Sequence, residues 1–237
     1  MISPERLIGL IDLTSLNADD NDEIIKSLCQ KAQTPLGPVA AVCVLPAFVS
    51  LAHQLLKNTG IKVATVANFP FGDHTLVGSL EEINAALKAG ADEIDVVLPA
   101  FLIKAKQLSA ARDFVLQCRH AAGKACLKII IETGLLNPQE IADATIVTMD
   151  GGADFVKTST GKQSVGATPE AVQLILHVLK KYPERRLGLK ISGGIRTLAD
   201  AQVYLTMVQH AMGAEWLQSS CFRFGASQLL DQLVSRS

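Results

Sequence analysis

The sequence predicts a closed (β/α)8 barrel, of class α/β. Eight short β-rich runs alternate with eight helical patterns, no linker or low-complexity segment interrupts them, and one turn-and-strand signature recurs at intervals of 62 and 61 residues. Alternation of this kind argues for a parallel sheet, and 237 residues suit a barrel of about 250 residues better than one ordinary domain. An open doubly wound sheet fits the alternation almost as well, so the repeat is what favours closure. Residues 1–237 are read as a single barrel domain.

In chain order, strand 7–13 precedes a helical pattern at 20–33, strand 40–45 one at 47–58, and strand 62–68 one at 75–89. Strand 93–98 is followed by a helix at 105–122 and strand 127–132 by one at 138–149, where Asn137-Pro138 sets a cap residue before a proline at the first helical position. Strand 155–159 lies between the turn signals Gly152 and Gly161, and its helix at 169–181 starts on Thr168-Pro169 in the same way. Strand 188–192 leads to a helix at 198–212, and strand 216–219 to a last helix at 226–235.

Composition narrows the function classes. Apolar residues make up 49% of the chain and charged residues 19%, and the formal charge is −1 with no basic block. Neither nucleic acid nor an anionic membrane is an expected partner. The longest apolar stretch, residues 38–49, is 12 residues long and broken by Pro46, too short to span a bilayer. Met1-Ile2-Ser3-Pro4-Glu5-Arg6 lacks a charged-then-apolar leader pattern. The five cysteines, Cys29, Cys43, Cys118, Cys126 and Cys221, lack Cys-x-x-Cys spacing and read as reduced core residues of a cytoplasmic protein. The five histidines form no His-x-x-x-His pair, so a catalytic metal is not expected.

The chain centres on Asp154-Phe155-Val156-Lys157-Thr158-Ser159-Thr160-Gly161-Lys162. An ammonium in a buried strand loses solvation, which disfavours its charged form and makes Lys157 a candidate nucleophile. The repeat supplies its company. Gly90-Ala91-Asp92-Glu93-Ile94-Asp95 recurs as Gly152-Ala153-Asp154-Phe155-Val156-Lys157 and as Gly213-Ala214-Glu215-Trp216-Leu217-Gln218. The copies are taken to begin strands four, six and eight, whose side chains share interior layers in such a barrel. Asp95, Lys157 and Gln218 should therefore share one polar layer. Lys128 and Lys190 interrupt the flanking strands, and the ammonium of Lys190 should depress the pKa of Lys157 from its reference of about 10.4.

A phosphate signal is independent of the lysines. Gly193-Gly194 follows strand seven, and Gly225-Ala226-Ser227 follows strand eight and opens the last helix. Barrels often bind phosphate at this place, where paired glycines let backbone N–H groups approach an anion. Thr160-Gly161-Lys162 can add donors and a charge. Ser159-Thr160-Gly161-Lys162 is not a nucleotide P-loop, since Val156 and Gln163 stand where that motif needs glycine and Ser or Thr.

Taken together, the runs Asp92-Glu93-Ile94-Asp95-Val96-Val97, Lys128-Ile129-Ile130-Ile131-Glu132-Thr133-Gly134, Phe155-Val156-Lys157-Thr158-Ser159-Thr160-Gly161, Lys190-Ile191-Ser192-Gly193-Gly194-Ile195-Arg196-Thr197 and Arg223-Phe224-Gly225-Ala226-Ser227 closely resemble those of the deoxyribose-phosphate aldolase family. Asp12-Leu13-Thr14 and Ala41-Val42-Cys43-Val44 extend the match over nearly the whole chain. The resemblance implies a barrel that reversibly cleaves 2-deoxy-D-ribose 5-phosphate to D-glyceraldehyde 3-phosphate and acetaldehyde, in deoxyribonucleotide catabolism. It implies Lys157 as the Schiff-base lysine, Lys190 as its perturber and Asp95 as a proton shuttle, with Asp12 and Thr14 contacting sugar hydroxyls. No metal or organic cofactor is required. The implied partners are a small sugar phosphate and aldehydes, and a homo-oligomer is compatible with the sequence.

Three departures stand out. Gln228 replaces a second serine, Ile191 replaces alanine or proline, and Val234-Ser235-Arg236-Ser237 carries no tyrosine. Two other readings stay open: a Schiff-base aldolase of the same barrel with a different donor or acceptor, and a non-catalytic sugar-phosphate-binding barrel.

Overall fold

The computed structural model describes residues 2–235. Met1, Arg236 and Ser237, which enter the readings of the N-terminal leader, the tail and the 1–237 domain, lie outside the described residues. The barrel strands are β1 (Ile11–Thr14), β2 (Ala41–Val44), β3 (Lys62–Ala67), β4 (Glu93–Val97), β5 (Cys126–Ile130), β6 (Phe155–Lys157), β7 (Gly188–Ser192) and β8 (Phe222–Ala226). Each pairs in parallel with its neighbours in the sequence, and β8 pairs with β1 to close the barrel. The helices of more than five residues between and after them are α1 (Asp22–Lys31), α2 (Val49–Leu55), α3 (Leu76–Lys88), α4 (Leu108–Ala122), α5 (Pro138–Asp150), α6 (Pro169–Lys181), α7 (Leu198–Met212) and α8 (Leu229–Val234). Among the described residues no helix is long and apolar enough to cross a membrane.

The helix starts follow local chemistry. Asn137 accepts from the Glu140 N–H at 3.0 Å while Glu140 accepts from the Asn137 N–H at 2.8 Å, a reciprocal cap that opens α5. Thr168 accepts from Ala171 N–H at 3.2 Å at the start of α6. Thr197 and Asp200 form a second reciprocal cap on α7.

Two predicted strands are misplaced. Residues 7 and 8 end a short helix, Pro4–Ile8, rather than begin β1. The Ser3 hydroxyl caps it by accepting from Arg6 N–H, and Pro4 presets the first turn. The last strand is Phe222–Ala226, not 216–219. Ala214–Trp216 forms one 3-10 turn after Gly213, whose φ of 93° ends α7. Gln218 is consequently exposed and belongs to no interior layer. The two misread segments touch: the Arg6 guanidinium donates to the carbonyls of Ala214 at 3.0 Å and Leu217 at 3.2 Å.

β8 escaped detection because its inward residues are a cation and a glycine. Phe222 and Phe224 point out against the helices, fully buried, with ring centroids 4.8 Å apart and planes at 84°. Arg223 and Gly225 face the barrel interior, where a hydrophobic pattern would have been expected.

The apolar mass lies between strands and helices, whereas the interior is divided. On the β2–β3 side it is small and apolar, with Ala41, Cys43, Ala64 and Val66 packed under Leu16. The remainder holds buried charges: Asp12, Glu93, Asp95, Lys128, Lys157, Lys190 and Arg223.

The placement of β8 is testable by equilibrium unfolding. Phe222→Ala should cost about 3–5 kcal/mol, the range for emptying a buried aromatic site. Gln218→Ala should stay within about 0.5 kcal/mol of wild type, as an exposed substitution does. Comparable losses from both would contradict this strand assignment.

Candidate active site

The C-terminal ends of β1, β6, β7 and β8 surround a cavity of about 400 Å³. Lys157 reaches its floor, and Thr14, Thr160, Gly161, Lys162, Gly193, Gly194, Gly225 and Ser227, all named from the sequence, line it. Lys31, Arg196, Asn17 and Ser192 also line it and were not anticipated. Three lysines and an arginine but no carboxylate are among the lining residues, so the field in the cavity favours an anion.

Asp95, Lys190 and Asp12 lie beneath the cavity, fully buried, and are not part of its lining. They join Lys157 to a continuous ionic network. One oxygen of Asp95 accepts from Lys157 Nζ at 2.8 Å and from Lys190 Nζ at 2.7 Å, and the other from Lys128 Nζ at 2.9 Å. Lys190 Nζ also lies 2.6 Å from Asp12 Oδ2. Lys128 Nζ lies 2.5 Å from Glu93 and 3.7 Å from Asp12. Arg223 closes the circuit, with Asp12 at 2.5 Å and Glu93 at 3.1 Å. Sequence reasoning noted Lys128 without giving it a place here and missed Glu93 and Arg223. The period-two spacing of Glu93 and Asp95 was the signal that both face inward.

Strand register makes this possible. Lys157 is level with Lys190, and Lys190 with Arg223, so these side chains point to one interior. Gly225 leaves room for them: a Cβ there would meet Lys190 Cε at 3.1 Å and Ser192 Cβ at 2.9 Å.

The charges are not equivalent. Burial alone would raise the Asp12 and Asp95 carboxyls, but the surrounding cations outweigh it and hold both below the ordinary carboxylate range. Burial would lower Lys128 and Lys190, but their carboxylate partners outweigh it and raise both. Lys157 goes the other way. Burial lowers it, Asp95 opposes, and Lys190 adds to the depression. The expected effect of Lys190 is present, with desolvation the larger cause.

The rim is tied together from behind. Glu132, left-handed at φ 52° past the end of β5, accepts from the Thr160 N–H at 3.1 Å and from its hydroxyl. The Ser192 hydroxyl donates to Ser159 O at 2.6 Å, and the Thr158 hydroxyl bridges to the Ser192 backbone. Gly193 has a φ of 85° and packs so closely on Gly166 that a Cβ would fall 2.9 Å from that residue's Cα. The loops after β6 and β7 thus hold a fixed separation at the cavity mouth.

Comparison with known proteins agrees with this architecture. A solved structure from Coccidioides immitis, provisionally named a deoxyribose-phosphate aldolase, is 30% identical with a TM-score of 0.87, over 100% of this chain and 88% of that one. A second such protein, from Toxoplasma gondii ME49, is 28% identical at 0.90, over 98% and 93%. The deoxyribose phosphate aldolase of Aeropyrum pernix, described as a unique tetramer, is 28% identical at 0.82, over 99% and 94%. The profile of the DeoC/LacD family aldolases matches residues 6–233, nearly the whole described chain. On that match, with the barrel and its buried lysine site, the chain belongs to the DeoC/LacD aldolase family.

Proposed function

We propose that this aldolase reversibly cleaves 2-deoxy-D-ribose 5-phosphate to D-glyceraldehyde 3-phosphate and acetaldehyde through a Schiff base at Lys157. The observation that carries the reading is the position of Lys157 Nζ. It lies at the floor of a cavity lined by cations, 2.8 Å from a buried carboxylate and with its pKa lowered. The three similar proteins named above as deoxyribose-phosphate aldolases support the substrate class.

In this mechanism the neutral amine of Lys157 adds to the C1 aldehyde, and loss of water gives an iminium ion. The C3 hydroxyl then loses its proton and the C2–C3 bond breaks. The released electron pair flows into the iminium, leaving an enamine on Lys157 and a free aldehyde carrying the phosphate. Protonation at C2 and hydrolysis free acetaldehyde and restore the amine. The iminium is the electron sink, so no metal or organic cofactor enters the scheme.

Asp95 stays ionised beneath the floor, in contact with Lys157 Nζ, and in this reading takes up the hydroxyl proton directly or through water. Held well below the usual carboxylate range, it is a weak base, which suits a relay that passes the proton on. Lys190 keeps its charge and adds to the electrostatic pressure on Lys157. The phosphate is proposed to lie between Gly193-Gly194, Thr160-Gly161-Lys162 and Gly225 with Ser227, with Arg196 nearby. Thr14 lines the cavity wall, which supports its reading as a contact for a sugar hydroxyl. Asp12, paired with Lys190 and Arg223 below the floor, would act on the sugar through Lys190.

Three outcomes test the scheme. Borohydride reduction in the presence of acetaldehyde or substrate should trap an adduct that peptide mass spectrometry maps to Lys157. Mapping to Lys128 or Lys190 alone would reject the assignment, and offering other donor aldehydes would expose a different donor preference.

Removing the 5-phosphate should lower kcat/KM by about 100-fold or more, since charge-assisted hydrogen bonds contribute about 1.5–3 kcal/mol each. Equal kcat/KM for deoxyribose and its phosphate would remove the phosphate site.

Lys190→Leu should let the pKa of Lys157 rise. The neutral amine exists above that pKa, so activity at pH 7 should collapse, about tenfold per unit of rise, and partly recover at alkaline pH. An unchanged pH–rate profile in a variant folded by circular dichroism would show that Lys190 does not tune Lys157.

A further inference from the structure

The charged interior extends well past the residues that the proposed reaction uses. Glu93 and Arg223 sit at the opposite end of the barrel, where both line a separate cavity of about 390 Å³. They are paired at 3.1 Å and connected to the site by two arms. Arg223 holds Asp12, which holds Lys190; Glu93 holds Lys128; Lys190 and Lys128 both hold Asp95.

Three carboxylates, Asp12, Glu93 and Asp95, thus face four cations, Lys128, Lys157, Lys190 and Arg223. With Lys157 as an uncharged amine this ion-paired group is electrically balanced, and with Lys157 protonated it carries one surplus positive charge on almost wholly buried side chains. Surplus charge is costly in a medium of low dielectric.

The geometry points to Glu93 and Arg223 as positioning residues that complete this balance from the far end of the barrel and so keep the Lys157 amine uncharged. This rests on the reading of Lys157 as the reacting amine. The two residues act in opposite directions. Without Arg223, Asp12 draws Lys190 away from Asp95, whose less compensated charge favours an ammonium on Lys157. Without Glu93, Lys128 turns its charge onto Asp95, and the ammonium on Lys157 is disfavoured further.

Other groups around Lys157 do not supply this balance. Cys43 faces it from β2, but burial raises its thiol and keeps it protonated. Glu132 faces it from beyond β5 but stands outside the ion-paired network, since its carboxyl is engaged by the N–H and hydroxyl of Thr160 rather than by a cation. Lys31, Lys162 and Arg196 stand on the solvent side of the cavity.

The test reads Lys157 carbamylation by cyanate, which requires the neutral amine, as a function of pH by peptide mass spectrometry. The wild-type midpoint should lie below the ordinary lysine value of about 10.4. A unit charge on the order of 10 Å away, at an effective dielectric of about 20, shifts a pKa by about one unit. Glu93→Gln should therefore lower the midpoint by about one unit and Arg223→Met raise it by about one unit. Arg223→Lys and the double variant Glu93→Gln/Arg223→Met, which keep the balance, should return it to the wild-type value.

Each single variant carries its own sign, so either one that folds decides. An unmoved midpoint, shifts of both in the same direction, or a wild-type midpoint at the ordinary lysine value would overturn the proposal. Trapping with acetaldehyde and borohydride separates the two readings. No adduct at Lys157 in wild type would reject the Schiff base without touching the order of the cyanate midpoints.

Discussion

Asp95 accepts from the Nζ groups of three lysines at 2.7–2.9 Å while itself fully buried. Taking one such ion out of water costs several kcal/mol even after relaxation, and removing one partner of a buried pair typically costs 3–5 kcal/mol. The carboxylate and its lysines are therefore tolerated only together. Much else in the fold follows from accommodating them. The inward positions of β2 and β3 are small and apolar, β8 contributes a glycine beside Lys190, and the hydrophobic core is displaced outward to the layer between strands and helices.

The network also separates three lysines that look alike. Lys128 has carboxylates of Asp95, Glu93 and Asp12 within 4 Å, Lys190 has Asp95 and Asp12, and among the described residues Lys157 has Asp95 alone. Desolvation acts on all three. It is overcome where several anions converge and prevails where there is one, so Lys157 alone has a lowered pKa. The lysine best suited to attack a carbonyl is the one with the fewest anionic partners, and it is also the one that reaches the cavity.

Above this floor the mouth is built by different means. Backbone turns and short hydroxyl contacts link the loops after β6 and β7, and Glu132 pins Thr160 from behind. Positive charge without a lining carboxylate then makes the mouth attractive to an anion. A ligand anchored there by its anionic end would extend toward Lys157. Catalysis by positioning requires this division, with a rigid anchor at the rim and a poised amine at the base.

The alternation of runs and helices, the caps at Asn137 and Thr168, and the lysine strands with their glycine loops were legible in the amino-acid sequence, because each is local and periodic. On that basis the barrel and part of the cavity lining, Lys157 and the glycine loops among it, could be named. The eighth strand could not, since Arg223 and Gly225 occupy inward positions where periodicity looks for apolar residues. Neither could the pairing of Glu93 with Arg223, which are 130 residues apart, nor the seclusion of Asp12 beneath the floor. Only closure of the sheet brings those charges within 4 Å of one another. Their protonation depends on that distance and on the exclusion of water, and neither is a property of the chain before it folds.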